Sequence, residues 1–200
     1  MKLTGMLAMA LAAATTVQAG ETRKQRVTVY VQNAATVSDQ TINRAEELAS
    51  CMFAAVDVKI DWRNGEPPVS SSPRAIAMRL VENTPGTEKP GALAYAMPHE
   101  GIHIVVFWDR IQFGLTPTVM LAHVMVHEIT HMIEGACRHS ESGIMRAQWS
   151  EADHKMMKTH PLPFAPEDVD LIHRGLMARA AAEARGNLAA ISEGVYPDYR

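Results

Sequence analysis

Val27, Val29 and Val31 alternate with Thr28, Tyr30 and Gln32, a two-residue period that predicts a half-buried strand over 27–32. The period then lengthens. Ile42, Ala45, Leu48, Ala49 and Met52 recur at helical spacing behind Ser38, whose hydroxyl suits a helix N-cap, so 38–53 reads as a helix. Alternation returns over 56–62 and is closed by the turn chemistry of Asn64-Gly65-Glu66-Pro67-Pro68. Residues 74–80 predict a third strand, and after the Pro/Gly-rich stretch 84–91 the apolar run 102–108 predicts a fourth. From Thr116-Pro117 the pattern is helical through Glu134, with Thr116 expected as N-cap and Pro117 at the first helical position. The chain reads as irregular from there to Ser150 and again from Pro161. A last helix is expected from Pro166 to about Arg185, before Gly186 and a polar tail over 186–200.

This order of elements predicts an α+β fold, in which a twisted mixed sheet of about four strands packs on an N-terminal helix and a second helix over 117–134, with a helical C-terminal part. With 200 residues, 47% of them hydrophobic and 20% charged, the composition is that of an ordinary globular chain. One domain is expected over 20–185. A net charge of −3 offers no basic field to nucleic acid or anionic lipid, so neither is an expected partner. Lys2, the apolar stretch Met6–Ala14 and the small residues Val17 and Ala19 before Gly20 read as a signal peptide over 1–19, placing the mature protein in the periplasm or outside the cell. Too few residues separate Gly20 from the first strand for a folded propeptide. In an oxidising compartment Cys51 and Cys137 are candidates for a disulfide.

His-Glu-x-x-His occurs twice, at His99–His103 and His127–His131. On a helix, residues i and i+4 share a face, so two imidazoles can reach one Zn²⁺ at about 2.0–2.1 Å while the intervening Glu stands beside the open position. The first copy follows Pro98, has Gly101 at its centre and runs into Ile-Val-Val-Phe-Trp, which is strand chemistry. In a strand its two histidines stand about 13 Å apart, too far to share an ion. The second copy lies in a stretch free of Gly and Pro, with apolar residues at helical spacing. It has the context that the chemistry requires.

Downstream, Gly135 suits a left-handed helix end that redirects the chain, and His139 can return to the same ion. Three protein ligands with a fourth position left for water define a catalytic zinc site, whereas a structural site is closed by a fourth ligand. Through His127-Glu128-x-x-His131, Gly135, His139-Ser140 and Gly143-Ile144-Met145, the sequence resembles the metzincin metallopeptidases, in the matrixin-type pattern. It is similar, more loosely, to small secreted bacterial metallopeptidases, through Trp149 and the segment Phe164 to Glu167. The resemblance implies one catalytic zinc held by His127, His131 and His139, a Met-turn that places Met145 beneath the site, and a twisted sheet over the active-site helix. It departs from the family spacing, since Gly135 and His139 stand four and eight residues after His131 where three and six are usual. Cys137 occupies the usual third-ligand position and stays open as a rival ligand, as does Glu151. His123, one turn before His127, either packs behind the site or is a hydrogen-bonded core residue. His154, His160 and His173 read as surface residues.

The expectation is a secreted zinc endopeptidase acting on peptide or protein substrates, in which Glu128 is the general base toward a zinc-activated water. By analogy with the proteins it resembles, the strand at 102–108 borders the cleft and pairs with an extended substrate, with Phe107 and Trp108 either shaping the cleft or buried in the core. Two alternatives remain: a catalytically silent zinc-binding domain, and an interaction domain in which the motif is accidental.

Overall fold

A computed structural model describes residues 25–68, 75–86, 88–98, 103–113 and 116–192, with side chains to 185. The signal-peptide reading of 1–19 and His99 and Glu100 of the first motif lie outside them. Five strands and four helices follow in the order β1 (Gln25–Ala34), α1 (Asp39–Ala54), β2 (Val58–Asn64), β3 (Ile76–Val81), β4 (Ala94–Ala96), β5 (His103–Phe107), α2 (Pro117–Glu134), α3 (Glu151–Met157) and α4 (Pro166–Ser192).

The strands form one sheet ordered β2-β1-β3-β5-β4, parallel throughout except for β4, which runs antiparallel along β5. Its register lines the alternating apolar residues up across the strands: Val27 faces Ile60, Val29 faces Ile76, Val31 faces Met78, Met78 faces Ile104 and Leu80 faces Val106. All of these are buried. With a side-chain period of two, that register puts one apolar face against the helices. Phe53 of α1 and Leu121, Met125, Ile129 and Met132 of α2 complete the core. Helix α2 contacts α1, β4, β5 and α4, which makes it the central helix of the molecule.

Four expectations change. The sheet has five strands rather than about four, because Ala94–Ala96 pairs along the free side of β5. That pairing makes β5 an interior strand, so the strand predicted over 102–108 is not the edge, and Phe107 and Trp108 are buried in the core. Ser38 caps α1 by accepting from the Thr41 amide at 3.1 Å, but Thr116 at the head of α2 makes no side-chain cap, leaving Pro117 to start that helix. Helix α4 runs through Gly186 to Ser192. Alanines at 180, 181, 182, 184, 189 and 190 outweigh the cost of one helical glycine, about 1 kcal/mol.

Gly175 of α4 lies so close to the end of α2 that an added Cβ would stand 2.1 Å from the Ile133 carbonyl oxygen. Among the described residues no helix is long and apolar enough to cross a membrane.

Candidate metal centre

The second motif lies in the last turns of α2, where His127, Glu128 and His131 are all buried. The helix ends as its sequence requires. Gly135 adopts φ +68° and ψ +25°, and its amide donates to the His131 carbonyl at 2.9 Å. The helix runs to Glu134, and the loop 135–139 carries His139 back. The three histidines each offer a ring nitrogen, and these nitrogens lie within 4.8 Å of one another. Ring centroids are 4.7 Å apart for His127 and His131, 5.3 Å for His127 and His139, and 5.0 Å for His131 and His139.

The tautomers of the first two rings follow from their partners. His127 Nδ1 donates to the Ile144 carbonyl at 2.9 Å, and His131 Nδ1 donates to the Ala136 carbonyl at 3.0 Å. Burial pushes both rings toward the neutral form, His127 down to about 4 and His131 down to about 3, with the neighbouring histidines adding to the shift. A neutral ring whose Nδ1 holds the proton carries a lone pair on Nε2. The two Nε2 atoms stand 3.0 Å apart, so two lone pairs face each other with no proton of their own between them. A cation satisfies both. Nitrogens at about 2.0–2.1 Å from a tetrahedral zinc stand about 3.3 Å from one another, close to the separation found, and the all-imidazole donor set fits a single zinc ion. His139, which is exposed, is also lowered, by desolvation and by the charge of Arg138.

Glu128 sits between His127 and His131 in sequence, and burial pushes its carboxyl up to about 8. The segment below the histidines is tightly tied. Ser140 donates its amide to the Met145 carbonyl at 2.8 Å, and Ile144 donates to the Pro163 carbonyl at 2.9 Å. Gly143, at φ +74°, brings the backbone so close to Pro163 that a Cβ would lie 2.3 Å from its carbonyl oxygen. Met145 is buried, and the indole of Trp149 donates to the same Ile144 carbonyl at 3.1 Å.

Of the rivals, Cys137 and Glu151 are exposed and belong to no ligand cluster among the described residues. Cys51 and Cys137 are both free. His123 is fully buried, its Nδ1 donating to the Val119 carbonyl at 2.7 Å and its Nε2 accepting from the Leu162 amide at 3.1 Å, so it joins α2 to the 162–163 segment as a core residue. His154 and His160 are exposed and His173 partly so. His103 of the first motif opens β5 and is exposed. The sequence reading missed Arg138 and Asp168, although a Pro at N1 with an acid at N3, as in Ala165-Pro166-Glu167-Asp168, is a helix-start signal. Asp168 Oδ2 accepts from the Ala165 amide at 3.0 Å, which is half of a capping box.

No protein-family model matches the sequence, and no curated protein matches it. Solved structures do. Archaemetzincin from Methanopyrus kandleri is similar with a TM-score of 0.54 at 14% identity, over 78% of this chain and 98% of that one. A zinc-dependent peptidase from Methanocorpusculum labreanum is similar with a TM-score of 0.53 at 10% identity, over 72% of this chain and 99% of that one. The likeness shows that this chain shares the fold of these two structures.

Proposed function

We propose that this protein is a zinc-dependent peptidase whose metal is held by His127, His131 and His139. The observation that carries the reading is the pair of Nε2 lone pairs facing each other at 3.0 Å, with His139 completing a three-nitrogen set that no fourth protein ligand closes among the described residues. Zinc in such a site supplies a Lewis acid for the scissile carbonyl and brings the pKa of a water to about 7. The chain's own part is to orient and to move protons. Ile144 and Ala136 fix the two ligand rings through their carbonyls, which keeps Nε2 of each free to bind. Glu128 is the proton carrier: its carboxylate accepts a proton from the attacking water and returns it to the leaving amine. Burial raises that carboxyl, and a divalent cation on the flanking histidines draws it back toward the ionised form a base requires.

The edge strand β4, which packs over α2, has one side unpaired in the sheet and suits an extended peptide added as a further strand. Residues 1–19 are read as an export signal, so the site of action is outside the cytoplasm. The fold of the two archaeal structures agrees with this activity, as do their descriptions as an archaemetzincin and a zinc-dependent peptidase.

The test is mass-spectrometric detection of new cleavage sites in a complex peptide library, comparing zinc-loaded protein with Glu128→Ala. Cuts made by the unmodified protein alone support the peptidase. A zinc-loaded protein that leaves the library uncut contradicts broad endopeptidase activity and favours a catalytically silent zinc-binding domain.

A further inference from the structure

His139 differs from the other two histidines in how it is held. His127 and His131 each anchor their Nδ1 on a backbone carbonyl, whereas neither ring nitrogen of His139 has a hydrogen-bond partner among the described residues. A ligand without such a ring partner takes its position from its backbone, here a loop longer than the family spacing. The residues on either side of His139 both reach one acceptor. Arg138 Nη2 and Ser140 Oγ donate to the same oxygen, Oδ1 of Asp168, in the first turn of α4. Asp168 is fully buried, and its other oxygen takes the Ala165 amide, so the carboxylate is fixed at both ends.

Arg138 carries further contacts. Its Nη1 donates to Ser140 Oγ at 3.1 Å and lies 3.5 Å from Glu167, and its Nε lies 3.6 Å from Glu134. The Glu134 side chain is only 1% exposed and its carboxyl is raised to about 7 by burial, with no hydrogen-bond partner among the described residues. That interaction is therefore weaker than the charge-assisted bonds to Asp168.

We infer that Asp168 is the positioning residue for the third ligand: by clamping Arg138 and Ser140 it sets where His139 stands relative to His127 and His131, and so sets the affinity of the site for metal. The inference rests on the zinc reading above. Outer partners of metal ligands commonly govern metal affinity by 10–100-fold.

The experiment is a double-mutant cycle read as zinc affinity by competition with a chromophoric chelator, with thermal unfolding of the metal-free proteins in parallel. Asp168→Ala is expected to weaken zinc binding about 10–100-fold in the otherwise unmodified chain and by less than about twofold in the His139→Ala background, because its effect passes through that ligand. Ser140→Ala, which removes one donor and leaves the carboxylate in place, is expected to weaken binding by a smaller factor; it keeps the test available should Asp168→Ala fail to fold. Equal losses in both backgrounds, or unchanged affinity in both Asp168→Ala and Ser140→Ala, overturn the inference. An unmodified chain that takes up no zinc overturns the metal reading itself, an outcome distinct from either.

Discussion

Trp149 and His127 share one hydrogen-bond acceptor, the carbonyl of Ile144, and their rings meet edge-on at 5.8 Å and 90°. The carbonyl therefore holds both the first of the proposed zinc ligands and the residue that walls it in, which ties the turn at 143–145 to α2. Trp149→Ala is expected to weaken zinc binding about tenfold by freeing the His127 ring, and Trp149→Phe, which keeps an aromatic ring but loses the N–H, by less. Chelator competition measures both; identical affinities in all three proteins contradict the coupling.

Glu128→Gln keeps the shape of the side chain and removes its ability to take a proton. The account expects full zinc content with peptide hydrolysis reduced about 10²–10⁴-fold, read as initial rates at equal metal loading. Undiminished turnover would remove Glu128 from the mechanism.

Three glycines separate backbone conformation from close packing. Gly135 sits at φ +68° with open space around it, so Gly135→Ala is expected to cost about 1 kcal/mol for the left-handed conformation alone. Gly175 lies against the Ile133 carbonyl without a positive φ, and alanine there is expected to cost about 2–3 kcal/mol as the backbones separate, whereas Gly143 combines its contact with the Pro163 carbonyl with φ +74°, so alanine there is expected to cost more. Urea unfolding ranks the three, and a larger loss at 135 than at 175 contradicts the packing described.

Much of the site was legible because its chemistry is local. The span of α2, its Gly135 terminus and the shared face of His127 and His131 follow from helical spacing and one turn residue, and the structure brings a ring nitrogen of His139 within 4.8 Å of theirs. What stayed hidden depends on partners distant in sequence. Ala94–Ala96 has no alternation to announce it and becomes a strand only because β5 offers an unpaired side. Asp168 looks like an ordinary acid at a helix start, and its contacts with Arg138 and Ser140, across 30 and 28 residues, arise only once α4 folds back over the end of α2. That His139 lies beside His127 and His131 while Cys137 belongs to no such cluster among the described residues likewise depends on the path of the loop.

Glu46 of α1 gives a pH dependence away from the site. Burial raises its carboxyl from 4.5 to about 7, and its Oε1 is enclosed without a hydrogen-bond partner among the described residues. Between these two values the folded chain holds a proton that the unfolded chain has lost, so this group's contribution to stability falls as pH rises from about 4.5 to about 7 and is constant above. Glu46→Gln is expected to have a Tm close to that of the unmodified protein near pH 4.5 and a higher one at pH 7.5. A gap in Tm that does not change with pH contradicts the assignment.

The most direct test of the three-histidine centre is zinc stoichiometry by native mass spectrometry on the unmodified protein, Cys137→Ser and His139→Ala. The account predicts one zinc per chain in the first two and, in the third, a site of two histidines that binds so much more weakly that its zinc occupancy under the same conditions falls far below one. Full zinc in His139→Ala together with loss in Cys137→Ser would contradict it, and would move the third ligand from the imidazole to the thiolate.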